Sequence, residues 1–181
     1  MSQKAPAPSQ PAASPPPPEP SAELNARMRA FLQGDLMLAD LYELTHEELY
    51  GLASQGRHLY ESGKLEAAQQ IFEGLTTLAP NEASFHTGLG SVYQRRGELG
   101  RACEEYDRAL ALNERDLAAL CNRAEVLLQE GKIEEAARDL QRIAELDPKG
   151  EQGFSQRARG MAIALSTIVQ KLQEPQQSPA K

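Results

Sequence analysis

His46-Glu47-Glu48-Leu49-Tyr50 begins like H-E-x-x-H, in which two imidazoles one helical turn apart hold zinc. Tyr50 stands where the second imidazole is needed, so no zinc site follows and His46 reads as a helix-start residue. Gly88-Leu89-Gly90 resembles part of a dinucleotide loop, but Tyr93 replaces the third glycine and no strand precedes it. His58 and His86 stand alone, with no Cys or Asp at catalytic spacing, and His86 shares a column with Leu52 and Leu120, a packing position. Cys103 reads as a small packed thiol, and Cys121 as a residue facing a groove. A nucleophile needs a base and a group to orient it, and neither accompanies these thiols. Arg95-Arg96 reads as a solvated helix C-terminus favoured by the dipole. No enzyme, cofactor or metal is expected.

The elements that carry these residues repeat. Displaced by 34 residues, the chain aligns with itself. Gly63, Gly97 and Gly131 coincide, followed by Ala68, Ala102 and Ala136, then Phe72, Tyr106 and Leu140. Upstream, Gly56, Gly90 and Ala124 form a column of small residues, where helices of one repeat would cross closely. The first glycine column suits a tight left-handed turn, and Pro80 and Pro148 end helices. Glu114 takes the proline position in the middle unit, which predicts a more continuous junction there. This is the tetratricopeptide pattern, two antiparallel helices per unit, over 49–82, 83–116 and 117–150. The expected fold is all-α, a superhelix of three helix hairpins with flanking helices.

The flanks differ in character. Eight of the twelve prolines lie in residues 1–20, a composition that cannot bury apolar surface and predicts a disordered leader. It reads as a solubilising leader or as a tail that docks on a Pro-binding domain. Residues 21–48 form a helical segment in which Phe31, Leu32, Leu36, Met37, Leu38, Leu41, Tyr42 and Leu44 carry much apolar surface. That surface fits a cap on repeat one, a homodimer contact or a clamp on a ligand. Thr45 and Glu48 form a capping box. Residues 151–173, with Phe154, Met161, Ile163, Leu165, Ile168 and Leu172, read as the C-terminal cap that a solenoid requires, and 174–181 as a frayed end.

Composition narrows the partners. The chain has 181 residues, a net charge of −7 and only 5% aromatics, so it lacks the basic footprint of nucleic-acid binders. No apolar run approaches the ~20 residues that span a bilayer, and no signal-peptide core opens the chain. Two cysteines fit a reducing compartment. What remains is a surface. In stacked repeats, positions 2, 5, 9 and 12 of each unit face the groove: Tyr50, Ala53, Arg57 and Tyr60, then Ser84, Thr87, Ser91 and Gln94, then Ala118, Cys121, Glu125 and Leu128. Tyrosines offer apolar area and a hydroxyl at low entropy cost, which suits an extended peptide whose backbone Gln94 and the Ser/Thr hydroxyls would bond. Arg57 is the single cation of the twelve, too few for a carboxylate clamp.

Residues 24–173 also resemble a known family. Phe31-Leu32-x-Gly34, Leu41-x-Glu43-Leu44, Tyr60-x-x-Gly63-Lys64, and Phe85-x-x-Gly88-Leu89-Gly90 with Gln94 and Gly97 are similar to the class II, translocator-type chaperones of bacterial type III secretion, the LcrH/SycD type. The resemblance implies a cytoplasmic, ATP-independent chaperone. Its partner would be a hydrophobic translocator or effector, held through an extended segment of P-x-L-x-x-P type in the groove. It places Ala53, Tyr60, Leu65 and Leu78 at groove-lining positions, and implies dimerisation around Leu24, Met28, Phe31, Leu32, Leu36 and Leu38. The alternative from the repeats alone is a general scaffold joining two proteins.

Overall fold

The computed structural model describes residues 22–33 and 36–173. The expected disordered leader and frayed end lie outside the described residues. Among the described residues there are nine α-helices and no strand. The chain divides into two compact units at Leu36/Met37. The first holds α1 (Ala22–Gln33). The second begins with the single turn α2 (Leu38–Leu41) and continues through α3 (His46–Glu61), α4 (Leu65–Leu78), α5 (Ala83–Arg96), α6 (Leu99–Leu112), α7 (Leu117–Gln129), α8 (Ile133–Leu146) and α9 (Gly153–Gln173). Within the segment 21–48, Met37 onward groups with the repeats, where Ala39 is buried in their core. Of the residues expected to dimerise, Phe31, Leu36 and Leu38 are half-buried, and the side chains of Leu24, Met28 and Leu32 lie outside the described residues.

Each helix pair is bounded by chemistry visible in its residues. Thr45 caps α3, taking the Glu48 N–H at 3.2 Å, while the Glu48 carboxylate takes the Thr45 N–H at 2.8 Å. That bond to the Thr45 backbone holds the exposed Glu48 carboxyl below its ordinary range. The helix begins at His46, three residues before the repeat boundary. Gly63, Gly97 and Gly131 adopt φ of 79°, 80° and 75°, the left-handed conformation that closes a helix cheaply only at glycine. In each turn a backbone N–H then reaches five residues back, from Lys64 to Leu59, Glu98 to Tyr93 and Lys132 to Leu127. The middle junction is not more continuous for lacking proline. Asn113 ends α6 in an extended conformation, and Asp116 caps α7 by accepting the N–H groups of Ala118 and Ala119 at 2.9 and 3.1 Å.

The apolar columns meet between the helices. One core cluster gathers Leu49, Phe72, Leu75, Phe85, Leu89, Val92, Tyr93 and Tyr106; a second gathers Leu120, Cys121, Leu127, Leu140, Ile143 and Ala158. Burying each large side chain contributes about 1.5–3 kcal/mol. The small column serves close crossing: a Cβ at Gly90 would lie 2.6 Å from the Tyr106 ring. Arg95 and Arg96 are not merely solvated. Arg95 stacks on Tyr60 at 4.9 Å and donates to the Tyr60 carbonyl at 2.7 Å, and Arg96 pairs with Glu66 and Glu98. Together they fasten repeat two to repeat one. α9 packs on α7 and α8 as the terminal cap, yet only part of its apolar set points inward. Ala158 is buried and Met161 packs on the second cluster, whereas Phe154, Ile163 and Ile168 are exposed.

Candidate functional site

A trough of about 510 Å³ runs along the first helices of the three repeats. α3 contributes Tyr50, Ala53, Arg57, Tyr60 and Glu61; α5 contributes Ser84, Phe85, Thr87, Gly88 and Ser91; α7 contributes Ala118 and Asn122. Phe72 from α4, Asp116 at the start of α7, and Phe154 and Arg157 from the cap complete it. Its apolar part is aromatic. Tyr50 and Phe85 meet with ring centroids 5.4 Å apart, tilted by 55°. Gly88, with no side chain of its own, leaves room for the Phe72 ring, which a Cβ there would overlap.

The polar wall is internally bonded. Thr87 donates to Asp116 at 2.7 Å, Ser91 donates to the Thr87 carbonyl at 2.9 Å, and the Asn122 amide donates to Ser91 at 3.2 Å. Arg157 reaches from α9 to Asn122 at 2.6 Å and Glu125 at 3.0 Å. The charges lining the trough, Arg57 and Arg157 against Glu61 and Asp116, balance.

Eight of the twelve groove positions read from the repeats line this trough; the other four do not. Gln94 accepts the Tyr106 hydroxyl at 2.7 Å, Glu125 is engaged with Arg157, and Leu128 is half-buried against the second cluster. Cys121, expected at the groove, is fully buried among Leu117, Leu120 and Ala124. In repeat three it is the next residue, Asn122, that lines the trough. Leu65 and Leu78, placed in the groove by resemblance, pack half-buried against the first core cluster. Nor are the Thr87 and Ser91 hydroxyls free to donate, since both protons are directed inward.

Neither cysteine lines the trough. Burial pushes the thiols of both Cys121 and Cys103 above the ordinary cysteine range, which disfavours thiolate. His86, read as a packed imidazole, is buried between two acceptors, with Nδ1 2.7 Å from Glu105 and Nε2 2.9 Å from the Pro80 carbonyl. Glu105 also receives Arg108 at 2.5 Å. The bond to Glu105 raises the affinity of His86 for its proton, against the opposing effect of burial. Among the described residues, no group of three His, Cys, Asp or Glu side chains could hold a metal ion. No helix among them is long and apolar enough to cross a membrane. A second, open cavity of about 410 Å³, lined by α6, α7 and α8, is strongly charged, and in it Arg123 donates to both oxygens of Asp139 at 2.9 and 2.7 Å.

Three comparisons bear on this architecture. The sequence profile of the tetratricopeptide repeat matches residues 54–112 and 89–151. Low calcium response locus protein H of Yersinia pestis is 32% identical over 114 residues, covering 63% of this chain and 68% of that protein. SycD, a type III secretion translocator chaperone of Yersinia enterocolitica, superposes with a TM-score of 0.66 at 30% identity, over 71% of this chain and 98% of SycD. SycD has also been solved as an alternative dimer, and in complex with a peptide of the translocator YopD, the latter with a TM-score of 0.63 at 27% identity over 71% of this chain and 98% of SycD. A type III secretion complex from Aeromonas hydrophila superposes with a TM-score of 0.70 at 27% identity, over 83% of this chain and 99% of that one.

Proposed function

Because this chain belongs to the tetratricopeptide-repeat family, in the group of the Yersinia low calcium response locus protein H, we infer that it is a type III secretion chaperone that holds an extended segment of a hydrophobic translocator in the trough. It does so without catalysis, in the bacterial cytoplasm. One observation carries this reading: SycD, similar along nearly its whole length, has been solved with a translocator peptide. The trough suits such a ligand. Tyr50 and Tyr60 offer ring surface to apolar side chains above the buried Phe72 and Phe85, and a polar wall lies beside them for the backbone.

The physical role follows from solubility. A translocator carries membrane-seeking apolar segments that aggregate in water. A protein that binds the unfolded chain favours the soluble state by mass action, by RT ln(1 + [L]/Kd). Ordering the segment costs a few kcal/mol, which keeps affinity moderate and release feasible. SycD has been solved as a dimer, and by the same reading two copies of this chain would pair through the helix before the repeats.

Co-expression tests the reading. A pore-forming translocator of the same secretion system should become soluble and co-purify with this protein. Tyr60→Ala, which removes a ring that lines the trough, should reduce the yield of complex. A translocator that stays insoluble, together with no effect of Tyr60→Ala, would exclude that client.

A further inference from the structure

We propose that the capping helix is a working wall of the trough, and that Arg157 donates to a backbone carbonyl of the bound segment. The proposal rests on the peptide-binding reading of the trough and names the group that meets the peptide backbone.

An extended strand brings carbonyl oxygens into the trough, and each buried one needs a donor. The buried centre of the trough has few to offer. Thr87 directs its proton to Asp116, and Ser91 directs its own to the Thr87 carbonyl, so both hydroxyls present lone pairs only. Asn122 directs an N–H to Ser91.

Arg157 differs. A guanidinium has five N–H donors and no acceptor, so the atom it meets on Asn122 must be Oδ1. Its bonds to Asn122 and Glu125 both leave through one terminal nitrogen, Nη2. Among the described residues, Nε–H and the Nη1 protons have no oxygen or nitrogen partner. Asn122 and Glu125, one helical turn apart on α7, with the Cys121 thiol beside them and the Phe154 ring beneath, therefore hold the guanidinium at the trough with N–H donors left over for a ligand. Asn122 is itself fixed by Ser91, so the relay runs from α5 through α7 to α9. Arg57, the other guanidinium in the lining, is exposed and has no ion pair among the described residues. The tethered group has less freedom left to lose when it binds.

The test uses the full chain and a fluorescein-labelled, end-blocked peptide of Pro-x-Leu-x-x-Pro type, together with a series in which one backbone amide at a time becomes an ester. An ester carbonyl is the weaker acceptor. Arg157→Ala should weaken binding of the parent peptide about tenfold, the value of a charge-assisted hydrogen bond. Arg157→Lys, which keeps a charged donor, should recover most of that loss. One ester should bind several-fold more weakly than the parent in the unsubstituted protein, and that penalty should vanish in Arg157→Ala. A role confined to anchoring α9 would instead lower the melting temperature and leave the ester pattern intact. Parent binding unchanged in Arg157→Ala, or an ester penalty that survives the substitution, overturns the proposal while leaving the trough as a peptide site. Failure of the unsubstituted protein to bind any peptide of the series overturns both.

Discussion

Gly88→Ala probes fold and site together. Gly88 lies inside α5, where alanine is intrinsically favoured by about 1 kcal/mol. The structure opposes that gain. A Cβ at Gly88 would lie 2.7 Å from Cζ and 2.8 Å from Cδ1 of Phe72, inside any real carbon contact. Phe72 is buried, and its other edge lies close to α3 at Gly56, where an added Cβ would come within 3.0 Å of Cε2, so the ring has little room to shift. Overpacking of this kind costs about 1–3 kcal/mol, and a boxed ring puts Gly88 near the upper end. The net effect should be a destabilisation of about 1–2 kcal/mol. Gly74→Ala, on the same helix as Phe72, is the control of opposite sign. A Cβ there meets nothing within 4 Å, so it should stabilise by about 0.5–1 kcal/mol. Thermal unfolding at fixed pH reads both, at about 2–4 °C per kcal/mol for a chain of this size. Because Phe72 also lines the trough, Gly88→Ala should weaken peptide binding and Gly74→Ala should not. Equal melting temperatures for the two variants would refute the packing argument.

Two further outcomes follow from the buried charges. With acceptors at both ring nitrogens, His86 has its proton affinity raised by the bond to Glu105, against the opposing effects of burial and Arg108. Its folded pKa is raised above the unfolded value of about 6.5. Its contribution is therefore complete below that pH and is lost as pH rises through the folded value. Melting temperatures measured from pH 5.5 to 8.5 should decline for this reason, and His86→Leu should flatten the decline; an unaltered profile in His86→Leu would contradict the assignment. Arg123→Ala leaves Asp139 buried without its partner and should cost about 3 kcal/mol in urea unfolding. Asp139→Asn added to it should recover part of the loss, and a full loss that persists in the double variant would point to packing of the Arg123 stem instead.

The repeat was legible because each of its positions obeys one local rule. Gly63, Gly97 and Gly131 must turn left-handed, and Ala68, Ala102 and Ala136 must fit against a neighbouring helix; all three alanines are fully buried. The trough was legible where the periodicity holds, through Tyr50, Ala53, Arg57 and Tyr60 in repeat one and Ser84, Thr87 and Ser91 in repeat two. Toward the C-terminus the expected positions and the trough lining diverge. There Ala118 keeps its expected place, but Cys121 turns inward and the next residue, Asn122, lines the trough. Phe154 and Arg157 were beyond such reasoning, because α9 lies outside the 34-residue period and its register against α7 is set by tertiary packing. The resemblance to translocator chaperones held where the comparisons could reach it, while its assignment of Leu65 and Leu78 to the groove meets two side chains packed on the core. Asp116 shows the limit of single-residue rules. It restores at the middle junction the break that a missing proline was expected to remove.

The most direct measurement is a structure of this protein with the chaperone-binding segment of its translocator. The account predicts an extended segment in the trough, with an apolar side chain over the Phe72 and Phe85 rings and Tyr50 and Tyr60 along one side. A segment bound instead at the cavity of Arg123 and Asp139, or a trough filled by the chain's own flanking residues with the translocator attached, would contradict it.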